Sequence, residues 1–255
     1  MFHKLILSIN LVLLSCTLAA INIIVFLSIL LCPIGLFSQN NYDKYLNTAY
    51  KRMYSGHYEL SKANYEAYKG MSGKSDPDIE YMLELVSNKV DRDAEQVTIV
   101  YSNGTYKGAC ANGKREGWGV LEYNDGGKYE GCWENDVQHG PGKYYYNDGD
   151  QFEGLYKTGR KEGKGTYYYS TGDKYVGYYK KNVMSGPGEF YYSNGDKYVG
   201  NFDNNRRNGE GTYYYSNGDK FVGYYLNDQP HGEGKYYFSN GDVRRGTWEY
   251  GRLLD

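Results

Sequence analysis

Tyr198-Val199-Gly200-Asn201-Phe202 is followed, across a short polar stretch, by Gly209-Glu210-Gly211-Thr212-Tyr213-Tyr214-Tyr215, and Ser216-Asn217-Gly218-Asp219-Lys220 closes the unit. Both inner runs are aromatic and glycine-spaced, a composition that suits strands and not helices. Side chains alternate across a strand, so Tyr198, Gly200 and Phe202 share one face. By the same parity Gly209, Gly211, Tyr213 and Tyr215 share a face of the second strand. A glycine beneath a ring lets the neighbouring strand's aromatic lie flat on the backbone, so this face of rings and glycines is the expected core. Asn204 to Asn208 reads as the hairpin loop. Ser216 to Asp219 turns the chain onward, with Gly218 free to take positive φ.

The same 23-residue unit recurs six times over residues 106–243, opened by Tyr106, Tyr129, Phe152, Tyr175, Tyr198 and Phe221. A fixed period of this length means an array in which each unit buries its face only against its neighbours. The pattern Tyr-x-Gly-x-aromatic, Gly-x-Gly, then Asp/Asn-Gly-Asp-Lys, recurring in register over six copies, resembles the MORN repeat family. The resemblance implies a mainly β fold, an elongated single-layer antiparallel sheet of repeated β-hairpins. Residues 244–248 read as the first strand of a seventh copy, with Arg244 in place of the opening ring. Val97–Tyr101 and the Asn103-Gly104 turn read as the second half of an earlier one. The array domain is therefore 97–255, with partial copies as caps. At about 4.8 Å per strand, six two-strand copies span roughly 58 Å.

Aromatic residues make up 17% of the chain, and Tyr numbers 33 against 8 Phe. A thin sheet, where most rings keep one wet edge, accounts for that bias. The formal net charge of −2 argues against nucleic-acid binding.

Leu5 to Phe37 carries no charged residue and is longer than one bilayer crossing needs. Residues 1–38 therefore read as an uncleaved membrane anchor with Lys4 on the cytoplasmic side, or as a secretory signal whose apolar core is Ile21–Phe37. Leu13-Leu14-Ser15-Cys16 has the form of a lipoprotein box, but a further apolar run follows where a polar tether belongs. Either main reading gives a protein that is membrane-anchored or secreted, in the cell envelope or outside the cytoplasm.

Residues 39–96 read as a helical spacer or cap. Tyr42, Tyr45, Leu46, Ala49, Tyr50, Met53 and Tyr54 follow helical spacing, as do Tyr58, Ser61, Tyr65 and Tyr68, and then Ile79, Met82, Leu83, Val86 and Val90. Asp76 is the expected N-cap of the third stripe and Pro77 its first helical residue. The Gly56-x-Tyr58 step resembles a tetratricopeptide helix pair, although Ser61 and Tyr68 stand where that family has alanine.

Catalytic chemistry is not legible. His139 and His231 share one repeat position, occupied elsewhere by Glu116, Glu162, Ser185 and Asn208, and so read as solvated turn residues. Cys110 and Cys132 fall on opposite faces by parity, which disfavours a disulfide between them. No phosphate loop, nucleophile–base set or zinc spacing is present, and no cofactor is expected. The resemblance implies protein–protein assembly and, in some members, contact with anionic lipid; together with the apolar run Leu5–Phe37 it gives, as the leading reading, a non-enzymatic binding or scaffold module at a membrane. An accessory subunit acting in trans with an enzyme and an architectural spacer are the alternatives.

Two sets of residues are candidate contacts. Lys114/Arg115, Arg160/Lys161 and Arg206/Arg207 place basic pairs in the expected loops of alternate copies, about 19 Å apart, suited to anions or lipid headgroups. Tyr145, Tyr168, Tyr191, Tyr214 and Tyr237 form a ladder on the side away from the core, where the MORN pattern has a small polar residue. Leu155, Tyr178 and Tyr224 are expected on the same exposed side. The ladder rings are about 9.6 Å apart, so first-strand residues must fill the gaps for the ladder to bind an extended partner.

Overall fold

The computed structural model describes residues 95–254, together with separate helical and connecting residues between 48 and 83. The apolar segment 5–37 and most of the three helical stripes lie outside the described residues. Among those described, no helix is long and apolar enough to cross a membrane.

In the helical part Ala49, Tyr65, Tyr68 and Ile79 are buried. Asp76 caps the turn that follows it, its carboxylate accepting from the Ile79 amide at 3.2 Å and its carbonyl from the Glu80 amide at 3.0 Å. The Asp76 amide donates to the Tyr65 hydroxyl at 2.7 Å, and Lys69 pairs with Glu80 at 3.0 Å.

The rest is one open antiparallel sheet of fifteen strands in which every strand pairs with its sequence neighbours. β1 (Glu95–Tyr101) is the expected N-terminal half-copy. The six copies supply β2 (Gly104–Ala111), β3 (Lys114–Tyr123), β4 (Lys128–Glu134), β5 (Val137–Tyr145), β6 (Gln151–Lys157), β7 (Arg160–Tyr168), β8 (Lys174–Lys180), β9 (Val183–Tyr191), β10 (Lys197–Asp203), β11 (Arg206–Tyr214), β12 (Lys220–Leu226) and β13 (Gln229–Tyr237). β14 (Val243–Glu249) and β15 (Arg252–Leu254) are the incomplete seventh.

Within a copy the hairpin loop is shorter than the sequence predicts. It is Asn204–Asn205 and not Asn204 to Asn208, and both residues have positive φ, 49° and 66°. Two left-handed residues twist a hairpin in the same sense as its strands, so the tight turn wins over a wider loop. The same two-residue turn occurs at Asn135–Asp136, Lys181–Asn182 and Asn227–Asp228. Arg206 and Arg207 consequently begin β11, and strand alternation separates them.

The two glycines of each Gly-x-Gly have different tasks. Gly211 faces Gly200 across the ladder, beneath the Tyr198 ring; a Cβ there would lie 2.3 Å from the Tyr198 hydroxyl. Gly209, with φ +98°, takes up the register shift between Gly200 and Phe202, as a β-bulge does.

Candidate functional site

The core is a row of rings along one face of the sheet. Each opener lies over a glycine pair and is buried. Between successive openers stands a second ring, edge-on: Tyr179 is 5.0 Å from Phe152 and 5.4 Å from Tyr175, and Phe202 is 4.9 Å from Tyr175 and 5.2 Å from Tyr198. Edge-to-face pairs of this kind are worth about 1 kcal/mol each beyond the area they bury. The tyrosine openers also spend their hydroxyls inside. Tyr106 donates to the Ala109 carbonyl at 2.7 Å and Tyr198 to that of Asn201 at 3.1 Å. The preference for Tyr over Phe is thus partly a buried hydrogen bond at the bulge, not only a wet edge.

A second line of rings runs along the same face through Tyr144, Tyr146, Tyr167, Tyr169, Phe190, Tyr192, Tyr213, Tyr215, Tyr236 and Phe238. Centroid separations are 4.4–4.7 Å within a copy and 5.6–5.8 Å between copies. The Tyr-x-aromatic pair in each copy is the sequence signal of this continuous ribbon, which strand alternation alone does not give. The turns between copies hold it in place. The Asp196 carboxylate accepts from the Tyr213 hydroxyl at 2.7 Å and from the Ser216 amide at 2.8 Å, and Asp150, two turns before it, and Asp219, one turn after it, do the same.

The six basic residues do not form one row of anion contacts. Lys114, Arg160 and Arg206 are exposed. Arg115, Lys161 and Arg207 turn onto the aromatic face, because they are strand residues of opposite parity. Arg115 stacks on Trp133 at 4.1 Å and pairs with Asp136 at 3.3 Å. Arg207 lies over Tyr213 and Tyr225 and pairs with Asp228 at 3.4 Å. Lys161 has Asn182 at the equivalent position, which accepts from its backbone amide. Its ammonium lies over Tyr167, Phe152, Tyr146 and Tyr179 at 4.4–5.7 Å. Burial pushes the Lys161 ammonium down to about 8, against a smaller opposing pull from Asp150.

That arrangement has a stability consequence. The folded state binds the Lys161 proton less well than the unfolded chain, so the penalty is full below about pH 8 and fades as pH rises towards the unfolded value of 10.5. Lys161→Met installs the residue that copy four has at Met184, which is buried. The variant is expected to be more stable by ~1–2 kcal/mol at neutral pH, a discounted figure because the ring faces partly compensate the charge. Urea titrations at a series of pH values check this: the variant's advantage should shrink between about pH 8 and pH 10. Equal stability at neutral pH would mean the ammonium is not desolvated.

On the opposite face the predicted ladder has lysines in its gaps. Lys174 pairs with Tyr191 across β8–β9, and Lys197 with Tyr191 and Tyr214. Lys174 and Lys197 lie 4.2 and 4.8 Å from the Tyr191 ring, Lys128 4.3 Å from Tyr145 and Lys220 4.7 Å from Tyr237. Tyr168 and Tyr214 are exposed at 41% and 43%, whereas Tyr145, Tyr191 and Tyr237 are half-buried. Glu189 tempers the charge, 2.9 Å from Lys197 and hydrogen-bonded by Tyr191. Tyr178 and Tyr224 are exposed on this side. Leu155 is not: it is buried, opposite the equally buried Pro141, an apolar cross-strand pair.

One smaller expectation changes. His139 and His231 are strand residues, not solvated turns. His139 is largely buried with Nδ1 2.9 Å from Glu134, and the His231 ring is 5.5 Å from that of Tyr250. Cys110 and Cys132 are not joined by a disulfide, as their parity leads one to expect.

The MORN repeat model matches six consecutive segments, 106–128, 129–151, 152–174, 175–197, 198–220 and 221–243, together more than half of the chain. The chain belongs to the MORN repeat family. A search of curated proteins gives no match. Among solved structures, the TCP domain of SAS-4 (dCPAP) from Drosophila melanogaster aligns with the MORN chain at 15% identity and a TM-score of 0.38. The alignment covers 61% of this chain and 90% of that one. Virginiamycin B lyase from Staphylococcus aureus aligns at 10% identity and a TM-score of 0.14, covering 62% and 57%. Neither likeness bears on what the MORN sheet binds.

Proposed function

We propose that this chain is a non-enzymatic scaffold that presents its MORN sheet to a protein partner at a membrane or in the cell envelope. The observation that carries the reading is the open face with its alternating lysines and tyrosines. Amphipathic rings with one polar end, in a regular row in which Tyr168 and Tyr214 are exposed, are the aromatic enrichment of an interaction surface. The apolar segment 5–37 supplies the targeting, as anchor or as signal. Anionic lipid is the less favoured ligand of the basic row, because only Lys114, Arg160 and Arg206 are exposed and they are spread over alternate copies.

The test is capture from solubilised membranes with the full chain as bait. Replacing Tyr168, Tyr191 and Tyr214 by Thr is expected to abolish capture of a defined partner while the melting temperature stays within a few degrees. A large fall in melting temperature with capture intact would make the ladder a packing device. Full-length, unprocessed protein in the cytosol would remove the targeting half of the reading.

A further inference from the structure

The two ends of the sheet are incomplete in complementary ways. β15 pairs only with the last part of β14, Leu254 with Thr247, Leu253 with Trp248 and Arg252 with Glu249. By the register of β10 with β11, these residues stand where Arg206–Asn208 stand in a full copy. Among the described residues nothing pairs with the outer edge of Val243–Gly246. At the other end β1 pairs with β2 through Val97 opposite Gly108 and Val100 opposite Thr105. β11 pairs with β12 through Gly211 opposite Gly223 and Tyr214 opposite Lys220. Val97–Val100 are therefore equivalent to Gly211–Tyr214, the part of the second strand that β15 does not reach. Among the described residues the outer edge of β1 is also open.

We propose that copies of this chain join head to tail, β1 of one pairing antiparallel with Val243–Gly246 of the next, so that β15 and the incoming β1 together make one full second strand. Three features of the sequence fit that joint. The repeat's register places Val100 opposite Val243, and these are exposed apolar side chains, at 78% and 47%. It places Thr98 opposite Arg245, both exposed, with no like-charge clash. It places Val97 opposite Gly246, where every full copy has a glycine pair. The glycines are needed because the opener's ring occupies the space of a Cβ, its nearest atom at 2.2–2.7 Å. The seventh copy has Arg244 instead of that ring, and the end of the Leu253 side chain takes its place, 2.5 Å from where a Cβ on Gly246 would stand, so Val97 meets a flexible aliphatic tip there and not a locked ring. The aromatic face then continues from Tyr236 and Phe238 to the Ile99 and Tyr101 of the next copy.

An exposed edge such as Gln96-Val97-Thr98-Ile99-Val100-Tyr101, β-branched and uncharged, is the kind that recruits another strand. The joint is heterologous, since the surfaces in contact differ, and so it propagates. Four backbone positions and one apolar pair make a weak contact, and confinement on a membrane raises the effective concentration that it needs.

The test is sedimentation velocity of the full chain in detergent micelles over rising concentration, with energy transfer between labelled copies in vesicles as the second measurement. Association without a fixed stoichiometry is expected. Thr98→Lys with Val100→Lys should weaken it at least about tenfold, through repulsion by Arg245 and loss of the valine pair. Adding Arg245→Glu and Val243→Glu to the same chain should restore it to within about threefold, since cross-strand charges then match. All four positions are exposed, so melting temperatures should not move. Absence of association in both measurements overturns the proposal. Association indifferent to the lysine variant overturns it too, and points to the apolar segment. Failure of the charge reversal to restore association overturns the head-to-tail geometry in favour of like ends meeting.

Discussion

Raising the pH to about 11 is expected to unfold the array in one cooperative step, with tyrosinate absorbance and loss of near-ultraviolet ellipticity following the same curve. Tyr129, Tyr156, Tyr175, Tyr179 and Tyr225 are all buried, and burial holds each phenol well above its ordinary 10. An acid with a raised folded pKa adds stability that is complete below the unfolded value and is lost as pH climbs above it. Each such tyrosine forfeits about 1.4 kcal/mol per pH unit above 10. Together these five forfeit roughly 7 kcal/mol by about pH 11, comparable with the whole stability of an ordinary domain. The Lys161 effect runs the other way but is a single group and ends near pH 10.5. A gradual ionisation near pH 10, with the ellipticity unchanged, would mean that the rings are open to solvent and that the core is assigned wrongly.

The second large effect is expected from one methyl group. In Gly211→Ala the new Cβ meets the Tyr198 hydroxyl at 2.3 Å and its ring at 2.6 Å. The ring has nowhere to go, because Phe202 and Tyr225 stand edge-on against it at 5.2 and 5.0 Å. Overpacking of a site closed on both sides costs about 3 kcal/mol. Gly113→Ala is the control: its φ of +73° is unfavourable for alanine but nothing lies within 4 Å, and the cost should be about 1 kcal/mol. Combining Gly211→Ala with Tyr198→Leu should cost less than the sum of the two, since the clash partner is gone. Urea denaturation of the four variants decides it. A Gly211→Ala protein within 0.5 kcal/mol of wild type, on the order of the scatter for surface changes, would show that the ring does not rest on that glycine.

Much of this architecture could be read from the chain because the repeat fixes the period and the alternation of side chains fixes the faces. Tyr198 over Gly200 and Gly211 follows from those two facts alone, as does the placing of Tyr145 and Tyr168 opposite Tyr144 and Tyr167. What could not be read depends on where alternation is broken. A bulge at Gly209 inserts two residues, so alternation holds on either side of it while Gly209 itself leaves the face that parity gives it and turns towards Asn201. A two-residue turn where five were expected moves Arg206 and Arg207 into a strand, and only one of them stays in water. The ribbon from Tyr144 to Phe238 needs ring tilts and separations, which no spacing rule supplies. Leu155 is buried while Tyr178 and Tyr224, at the same position, are exposed. A repeat predicts what its copies share and is silent on how one copy differs.

The strictly sequential strand order bears on load as well as on binding. Because, among the described residues, no strand is locked between strands distant in sequence, tension applied between β1 and β15 does not shear the sheet as a block; it peels hydrogen bonds a few at a time from an end. Each 23-residue copy that lets go releases up to about 78 Å of extended chain and leaves its neighbour's hairpin intact. The molecule is in this sense a strap with graded slack, able to lengthen in instalments between whatever its two ends hold and to take up the length again when tension falls.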